Sequence, residues 1–365
     1  MTTTIHAGVI GFGPGGRVFH APFLHAIEGL ELTAILQRHR DEAAQAYPDT
    51  RIVRSLEELL ALPKLELVAI STPPTTHFEL ARQCLEANKH VVIDKPFVAT
   101  SEQARQLMEL ARSKKLALSA FQNRRWDGDF LTLQKLLASG ELGRVVSMES
   151  RFERYRPELR GDIWKEKNEP GNGLLHDIGS HLVDQAMVLF GAPKAVTADV
   201  RYDRDGTAVN DGFAIQLHYP RLRVSLYASL LTCAPGPRFV VHGTTGSYVK
   251  YGLDPQEDAL KGGATLGGPH WGEEPESAWG KLTIMQNGTA TEKSVPTLPG
   301  DYRPYYENVR DAIWGKAALA VPAEQGWRTI RLLELALESS QQQRTISCDS
   351  LGATPRRNTR QSLSF

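Results

Sequence analysis

Short apolar runs alternate with segments of helical period over the first third of the chain, and no other feature limits the possible folds as much. The runs IHAGVI, ELTAIL, LELVAIST, HVVID and ALSAF predict strands, and THFELARQCLEAN between two of them predicts an amphipathic helix. Strands that are apolar along most of their length are typical of a parallel sheet with helices on both faces. Residues 1–122 are therefore predicted to form a doubly wound domain, and the motifs described below predict that it binds a nicotinamide dinucleotide.

The pattern changes from Arg144 onward to long runs in which apolar and polar residues alternate. VVSMESRFERY, AVTADVRYD, DGFAIQLHYP and RVSLYASLL predict strands of an antiparallel or mixed sheet, which needs only one buried face. The predicted fold class is α/β: an N-terminal Rossmann sheet, then a large open, mainly antiparallel sheet in a substrate-binding and oligomerisation domain over residues 123–349. Residues 251–280 predict a long loop, and the polar, basic residues 350–365 predict a disordered tail.

Composition argues against several classes of partner. Forty-two basic residues balance forty-two acidic ones, so no overall field attracts nucleic acid or an anionic membrane. Cys84, Cys233 and Cys348 form no CxxC pair, and no apolar run reaches ~18 residues, so a reduced cytoplasmic protein is expected. An open sheet with an apolar second face commonly pairs with a copy of itself, which predicts a homodimer or homotetramer.

The glycine-rich segment GFGPGG follows the first predicted strand directly. Gly11, Gly13 and Gly16 have the GxGxxG spacing, and Phe12 lies within the same turn. Such a turn brings backbone amides and a helix N-terminus against a pyrophosphate. The alternative is an ordinary glycine turn.

The end of the second predicted strand should select the coenzyme. An acidic residue about 20 positions after the glycine motif would hold the ribose 2′-hydroxyl of NAD. Here the chain reads Gln37, Arg38, His39 and Arg40, and no carboxylate occurs before Asp41. Because Arg38 can neutralise a 2′-phosphate, NADP is predicted in preference to NAD. The alternative is that the arginines are solvated and NAD is accepted through the Gln37 amide.

The segment STPPTTHF follows the fourth predicted strand, where a loop meets the nicotinamide half of a dinucleotide. Ser71, Thr72 and Pro73 are therefore predicted to contact the coenzyme. The remaining predicted coenzyme-binding residues are His77, for which a structural role is expected, Asp94 and Lys95.

Two distant segments, DKPF and HDIGSH, carry the predicted chemistry. DKPF places Lys95 after the strand HVVID, and HDIGSH places Asp177 and His181 at i and i+4, on one face of a helix. Oxidation of a secondary alcohol requires a base for the hydroxyl proton, and His181 is the predicted base. Asp177 is expected to orient the imidazole or to hold a neighbouring hydroxyl, and Lys95 to bind the reacting oxygen.

Other interpretations of these residues exist. Singly, each could be structural: a surface lysine, a partner of a helix dipole, a satisfied core histidine. A metal held by His176, Asp177, His181 and Asp184 is a further alternative. These positions do not all face one ion, so no metal is predicted.

The motifs GFGPGG, TPPTTH, DKP and DIGSH together resemble the Gfo/Idh/MocA family of nicotinamide-dependent oxidoreductases. The resemblance runs from about Ile5 to at least Ser340 and implies that Lys95, Asp177 and His181 line the catalytic pocket. Asp94 stands where that family usually has glutamate. FHAPF, QNRRWDGDFLTL, RYRPE and YVKYGLDPQEDAL are similar to a narrower group, the scyllo-inositol 2-dehydrogenases. That similarity implies a cyclic polyol substrate, oxidised from scyllo-inositol to scyllo-inosose, and leaves NAD or NADP open.

A ring of hydroxyls needs several hydrogen-bonding side chains around it. Asn123 and Trp164 are predicted to bind the substrate together with Asp177 and His181. Competing functions are a sugar or aldose dehydrogenase or reductase, and a non-catalytic NAD(P)-binding sensor. Further side chains that could reach a polyol are Arg124, Trp126, Arg154, Tyr155, His176, Tyr302, Tyr305 and Tyr306, of which the tyrosines are expected to serve more often as core.

Overall fold

The computed structural model describes residues 4–161 and 163–352, so most of the tail predicted over 350–365 lies outside the described residues. A six-stranded, wholly parallel sheet forms the first domain. Its strands are β1 (Ile5–Ile10), β2 (Leu30–Leu36), β3 (Arg51–Val53), β4 (Leu65–Ile70), β5 (His90–Ile93) and β6 (Leu118–Ala120). They lie in the order β3-β2-β1-β4-β5-β6, which is the Rossmann order. The five predicted strands are confirmed; β3 was missed because it offers only Ile52 and Val53 between two arginines, whereas β6, equally short, lies within the apolar run ALSAF.

Helices cover this sheet. They are a π-helical turn (Gly16–His20), α1 (Ala21–Ala26), α2 (Glu42–Ala46), α3 (Leu56–Leu60), α4 (Pro74–Glu86) and α5 (Ser101–Lys114). In α4, Ala81, Cys84 and Leu85 are fully buried, as the i, i+3, i+4 spacing requires. The hydroxyl of Thr100 begins α5 by accepting a hydrogen bond from the Gln103 amide at 3.2 Å.

The second sheet has nine strands and is mixed. Its strands are β7 (Val145–Glu153), β8 (Ala195–Arg201), β9 (Gly212–Tyr219), β10 (Leu222–Ser229), β11 (Phe239–Gly243), β12 (Gly246–Lys250), β13 (Gly280–Gln286), β14 (Thr289–Val295) and β15 (Ile346–Ser347). Their order is β14-β13-β12-β11-β7-β10-β9-β8-β15. Only β7 and β10 run parallel, and every other pair is antiparallel. The prediction of a second, mainly antiparallel sheet is confirmed.

Five further α-helices follow β6 along the chain. They are α6 (Gly128–Ser139), α7 (Ser180–Phe190), α8 (Gln256–Lys261), α9 (Arg303–Ile313) and α10 (Ala323–Gln342). The predicted loop over residues 251–280 contains one short α-helix, α8, and a 3₁₀ turn (Glu276–Ala278). Within the described residues, no helix is both long and apolar enough to cross a membrane.

Strand β10 shows how the second sheet divides its two faces. Val224, Leu226 and Ala228 are buried in the core of the second domain, and Arg223 and Ser225 alternate with them on the other face. The outward face is therefore polar here. The sequence argument for self-association assumed an apolar outer face, and this strand does not supply one.

The chain returns to the first domain near its C-terminal end. Tyr302, Tyr305 and Tyr306 are fully buried in the core that surrounds the parallel sheet. Ser119, in β6, donates a hydrogen bond from Oγ to the carbonyl of Val321 at 2.8 Å, and the same atom lies 2.7 Å from the Tyr305 hydroxyl. The core of the coenzyme-binding domain is thus completed by residues that follow the second sheet.

Candidate active site

One side of the glycine loop packs against neighbouring backbone and side chains, and the other side has open space beside it. Gly11 has φ of +93°, and a Cβ there would collide with the carbonyl oxygen of Ser71; a Cβ on Gly16 would collide with that of Gly11. Gly15, which the spacing did not single out, is packed against the Ser71 hydroxyl. Gly13 has no atom within 4 Å of its would-be Cβ. The loop is therefore held close to the end of β4, while Gly13 faces the space that a pyrophosphate needs.

Phe12 is placed differently from the rest of the glycine loop. Its side chain is buried and meets the Tyr47 ring edge-on, with ring centroids 6.0 Å apart. The Phe12 side chain, predicted to bind the coenzyme, is therefore part of the core.

The turn after β2 presents one free arginine. Arg38 is exposed, and its guanidinium makes no hydrogen bond or ion pair to any residue that the structure describes. Asp41, the first carboxylate after β2, is paired with Arg54 at 2.5 Å. Arg54 also donates to the carbonyls of Gln37 and Arg40, at 2.7 Å each. The carboxylate that could have bound a ribose 2′-hydroxyl is thus already neutralised.

The side chain of Gln37 is also engaged. Its amide oxygen accepts a hydrogen bond from the Ala43 backbone at 3.0 Å, and its amide nitrogen donates to Glu42 at 2.8 Å. Binding NAD through this amide would require breaking both bonds.

Asp94 connects three parts of the site. Its carboxylate accepts hydrogen bonds from the Ser71 hydroxyl at 2.9 Å and from the Lys95 amide at 2.7 Å, and lies 3.4 Å from Nε2 of His20. Burial alone would raise the pKa of Asp94, but the hydrogen bond and charge of His20, with Lys95 and His77, lower this pKa to about 2. Asp94 therefore remains ionised and joins the glycine-loop helix to the ends of β4 and β5.

His77 links the two loops at the carboxyl edge of the sheet. Its Nδ1 lies 3.0 Å from the Pro96 carbonyl and its Nε2 lies 2.8 Å from the Thr72 carbonyl. The ring is fully buried, and burial lowers its pKa. The Thr72 hydroxyl lies 2.7 Å from that of Thr76, and Pro73 immediately precedes α4. These contacts fix the loop in which Ser71, Thr72 and Pro73 were predicted to meet the nicotinamide.

Lys95 and Asp177 form an ion pair that joins the two domains. Nζ of Lys95 donates to the Asp177 carboxylate at 2.5 Å and to the Asp177 carbonyl at 3.0 Å. Nζ of Lys165, which sequence reasoning missed, lies 3.5 Å from the same carboxylate. Burial opposes ionisation of Asp177, but these lysines outweigh it and hold its pKa well below the usual range.

His181 lies nearby as a neutral base. The side chain is only 3% exposed, and its Nδ1 is buried without a hydrogen-bond partner among the described residues. Burial, and then the positive charges of Lys95 and Arg124, hold its pKa well below the usual range. The expectation that Asp177 orients the imidazole is not met, because the Asp177 carboxylate is directed to the lysines.

The backbone around this site is locally irregular. A π-helical turn (Leu175–Gly179) carries Asp177 and runs into α7, whose first turn carries His181. A second π-helical turn follows the glycine loop. Such turns occur often at functional sites because the extra residue re-aims side chains.

The two predicted substrate-binding residues lie on short 3₁₀ helices. Asn123 begins the turn after β6, is buried, and makes no hydrogen bond through its side chain to a described residue. Trp164 is 37% exposed and precedes Lys165, so its loop borders Asp177. No contact within the described part of the chain occupies the Asn123 amide, and binding of the substrate by these two residues stays a prediction.

The structure does not bring His176, Asp177, His181 and Asp184 together around a point where a metal could bind. Across residues 4–161 and 163–352, no three His, Cys, Asp or Glu side chains converge on one point. The carboxylate of Asp184 is instead bound on both oxygens by Arg125, at 2.6 and 2.7 Å.

Several residues of the site carried no clear signal in the sequence. His20 and Arg124 fall within FHAPF and QNRRWD, whose similarity to other dehydrogenases was visible, although their roles were not. Arg54 and Lys165 act through contacts with residues far away in the chain, which local patterns do not reveal.

Comparison with known proteins agrees with this geometry. Residues 5–122 match the Gfo/Idh/MocA model described as the oxidoreductase family's NAD-binding Rossmann fold, and residues 134–348 match its C-terminal alpha/beta domain. The chain is 43% identical over 346 residues to the uncharacterized oxidoreductase YdgJ of Escherichia coli, covering 95% of this chain and 99% of YdgJ. It is 40% identical over 343 residues to the scyllo-inositol 2-dehydrogenase (NADP(+)) IolW of Bacillus subtilis, covering 94% and 96%.

Solved structures show the same relationship. The putative oxidoreductase yvaA from Bacillus subtilis superposes with a TM-score of 0.92 at 39% identity, covering 95% of this chain and 99% of yvaA. Both domains are included in that match. The chain therefore belongs to the Gfo/Idh/MocA family and is an oxidoreductase whose first domain is an NAD-binding Rossmann fold.

Proposed function

We propose that this protein reversibly oxidises a secondary ring alcohol of a cyclic polyol, scyllo-inositol to scyllo-inosose, with NADP as the coenzyme. The observation that carries the proposal is the Lys95–Asp177 ion pair beside the neutral, buried His181, at the carboxyl edge of a sheet with a dinucleotide loop. The name of IolW supplies the substrate class, since that relative is a scyllo-inositol 2-dehydrogenase.

The three side chains divide the chemistry between them. His181 is neutral at pH 7 because its pKa is lowered, so it can accept the hydroxyl proton of the substrate. The Lys95 ammonium donates a hydrogen bond to the reacting oxygen, and its ion pair with Asp177 holds that ammonium in place. When bound, the nicotinamide supplies the acceptor for the hydride that leaves the same carbon. Loss of one hydride and one proton converts the alcohol to a ketone.

The coenzyme part of the proposal rests on the turn after β2. Arg38 is exposed and unpaired there, whereas Asp41 and the Gln37 amide are already bound within the protein. A 2′-phosphate would find a free guanidinium, and a 2′-hydroxyl would find no free carboxylate. This arrangement supports NADP, which is also the coenzyme for which IolW is named.

A second candidate is a sugar dehydrogenase or reductase of the same family. The D-glucoside 3-dehydrogenase of Escherichia coli is 29% identical over 204 residues, which cover 54% of this chain. The same three side chains would serve that reaction, because it too oxidises a secondary ring alcohol. A non-catalytic sensor is disfavoured because an ion pair beside a free base has no evident use in binding the coenzyme alone.

The test is nicotinamide absorbance with purified protein, scyllo-inositol or myo-inositol, and either NADP or NAD. Turnover of scyllo-inositol with NADP is expected, and Lys95→Met should lower kcat by about 100- to 1000-fold with coenzyme affinity retained. Turnover of glucosides but not of inositols would replace the polyol by a sugar. Coenzyme binding without turnover of any of these compounds would contradict the enzymatic proposal and favour the sensor.

The expected homodimer or homotetramer is part of the proposal. The second sheet is open and has nine strands, so a second copy of the chain could pack on its outward face, although on β10 that face is polar. Light scattering should give a mass of at least twice 40.4 kDa. A mass of one chain would refute self-association. The cytoplasmic location stays a prediction.

A further inference from the structure

The segment that follows β7 carries two arginines on one side of an extended backbone. The amide of Arg154 donates to the Ser229 carbonyl at 2.9 Å, and the amide of Arg156 donates to the Leu230 carbonyl at 2.7 Å. Successive side chains of an extended strand point to opposite sides. Arg154 and Arg156 therefore share a side, while Tyr155 between them is 57% exposed on the other.

Both arginines line a cavity of about 250 Å³. The rest of its lining is Arg124, Leu253, Asp254, Glu257, Asp258 and Lys261. Glu257 is bound by Arg124 and by Lys261, and Asp254 accepts hydrogen bonds from the backbone amides of Gly128 and Gln256 at 2.7 and 2.9 Å. The four basic side chains of the lining outnumber its three carboxyl groups, two of which are already bound.

Arg154 differs from these neighbours. Its guanidinium lies over the Phe152 ring, 4.6 Å from the centroid, and makes no hydrogen bond or ion pair to the part of the chain that the structure describes. Burial lowers its pKa, the negative charge of Glu257 opposes this, and the positive charges of Arg156 and Arg124 add to it. The guanidinium is half-buried, and its five N–H donors are available to a ligand that enters the cavity.

The cavity adjoins the reacting groups. Arg124, which lines the cavity, accepts a hydrogen bond on its carbonyl from Gln185 at 2.8 Å, one turn after His181 on α7. The charge of Arg124 also helps to lower the pKa of His181. A ring whose reacting hydroxyl lies between Lys95 and His181 would therefore direct another part of itself toward these arginines.

We infer that Arg154, assisted by Arg156, binds an anionic group on the ring substrate, a carboxylate or a phosphate remote from the reacting carbon. A guanidinium fork matches either group with two parallel hydrogen bonds. The inference rests on the proposed oxidation of a ring alcohol and refines its substrate class: an acidic or phosphorylated polyol or sugar would be preferred to a neutral one. Nothing in the composition indicated this, because the chain as a whole has no net charge.

The experiment is calorimetric titration of the NADPH-saturated protein with three probes: scyllo-inositol, myo-inositol 1-phosphate and glucuronate. Saturation with the reduced coenzyme prevents oxidation of the alcohol probes and keeps the anions out of the coenzyme site. At least one anionic probe is expected to bind about 10- to 100-fold more tightly than scyllo-inositol. The phosphate and the uronate distinguish the two forms of the anion.

Variants assign the effect to the residue. Arg154→Met should remove the preference for the anionic probe, and Arg154→Lys, which keeps the charge but loses the fork, should retain part of it. Arg105→Met removes an exposed positive charge on α5, paired only with Glu102, and should bind all probes like the wild type. Thermal unfolding of each variant shows whether Arg154→Met has remained folded.

The inference is overturned if the wild type binds scyllo-inositol as tightly as both anionic probes, or if Arg154→Met binds them unchanged. Turnover is measured in parallel to separate this from the proposed function. An anion preference that depends on Arg154, without turnover of any polyol, would contradict the proposed reaction and leave the anion site. Turnover of scyllo-inositol without any preference for the anionic probes would contradict the anion site and leave the proposed reaction standing.

Discussion

Replacement of Asp177 by asparagine tests the ion pair at the centre of the site. The exposed fractions of the Lys95 and Asp177 side chains are 22% and 36%, so solvent screens part of their 2.5 Å interaction. A hydrogen bond between charged groups contributes about 1.5–3 kcal/mol, and the lower part of that range applies here. Because 1.36 kcal/mol corresponds to a factor of ten, kcat/KM for the polyol should fall by about 10- to 30-fold.

The pH dependence of kcat/KM tests the same ion pair independently. His181 must be neutral to accept a proton, and its pKa lies below the usual value of about 6.5, so kcat/KM for oxidation should fall only well below that pH. The negative charge of Asp177 favours protonated His181, so Asp177→Asn should lower this pKa further and move the acid limb to lower pH.

The assay is kcat/KM for NADP-dependent oxidation across pH, with Asp199→Asn as the matched control. Asp199 also carries a carboxylate near an arginine, 3.8 Å from Arg201, but is exposed on β8. The control should match the wild type at every pH. An unchanged kcat/KM in Asp177→Asn, or an acid limb that moves to higher pH, would refute the assigned role.

Three other predictions concern the coenzyme loop, its specificity and the stability of the second domain. Gly11→Ala places a side chain at a positive-φ position, against the residue that follows β4, and should lower Tm by several degrees. The Cβ of Gly13→Ala meets no atom within 4 Å, so this variant should keep its Tm while KM for the coenzyme rises about tenfold or more. Arg38→Gln should raise KM for NADP about tenfold and leave KM for NAD nearly unchanged, as measured by initial rates with each coenzyme; an equal effect on both would exclude a 2′-phosphate contact. Asp184→Asn leaves the buried Arg125 without its carboxylate and should reduce the free energy of unfolding by about 3–5 kcal/mol in urea titration, whereas a change below about 1 kcal/mol would show that the pair is not needed.

Much of the fold was predictable because its signals are local. Apolar strands, turn residues and the glycine motif lie within a few residues of one another, and they indicated the parallel sheet from Ile5 to Ala120 correctly. The alternation after Arg144 indicated the second sheet for the same reason. β3 was missed because it has only two apolar residues between arginines, and the two π-helical turns were missed because an extra residue in one helical turn leaves no trace in composition.

The contacts within the site depend on tertiary structure and were only partly predictable. An i, i+4 spacing shows that Asp177 and His181 can meet, but Lys95 from β5 competes for the carboxylate and binds it. Likewise, the sequence showed that Arg38 could bind a 2′-phosphate. It could not show that Asp41 pairs with Arg54, because that contact depends on where β3 ends. Which of several possible partners a charged side chain chooses is decided by the packing of distant segments.

The return of the chain to the first domain has a consequence for its synthesis. The residues of β1 to β6 leave the ribosome early, but Tyr302, Tyr305 and Tyr306, which fill part of the same core, are added roughly 180 residues later. At about 5–20 residues per second, this delay lasts on the order of 10–40 s. Throughout that interval the nascent coenzyme domain exposes an apolar cleft that is closed by residues made after the second sheet, so the coenzyme domain finishes folding only after the second sheet has been synthesised.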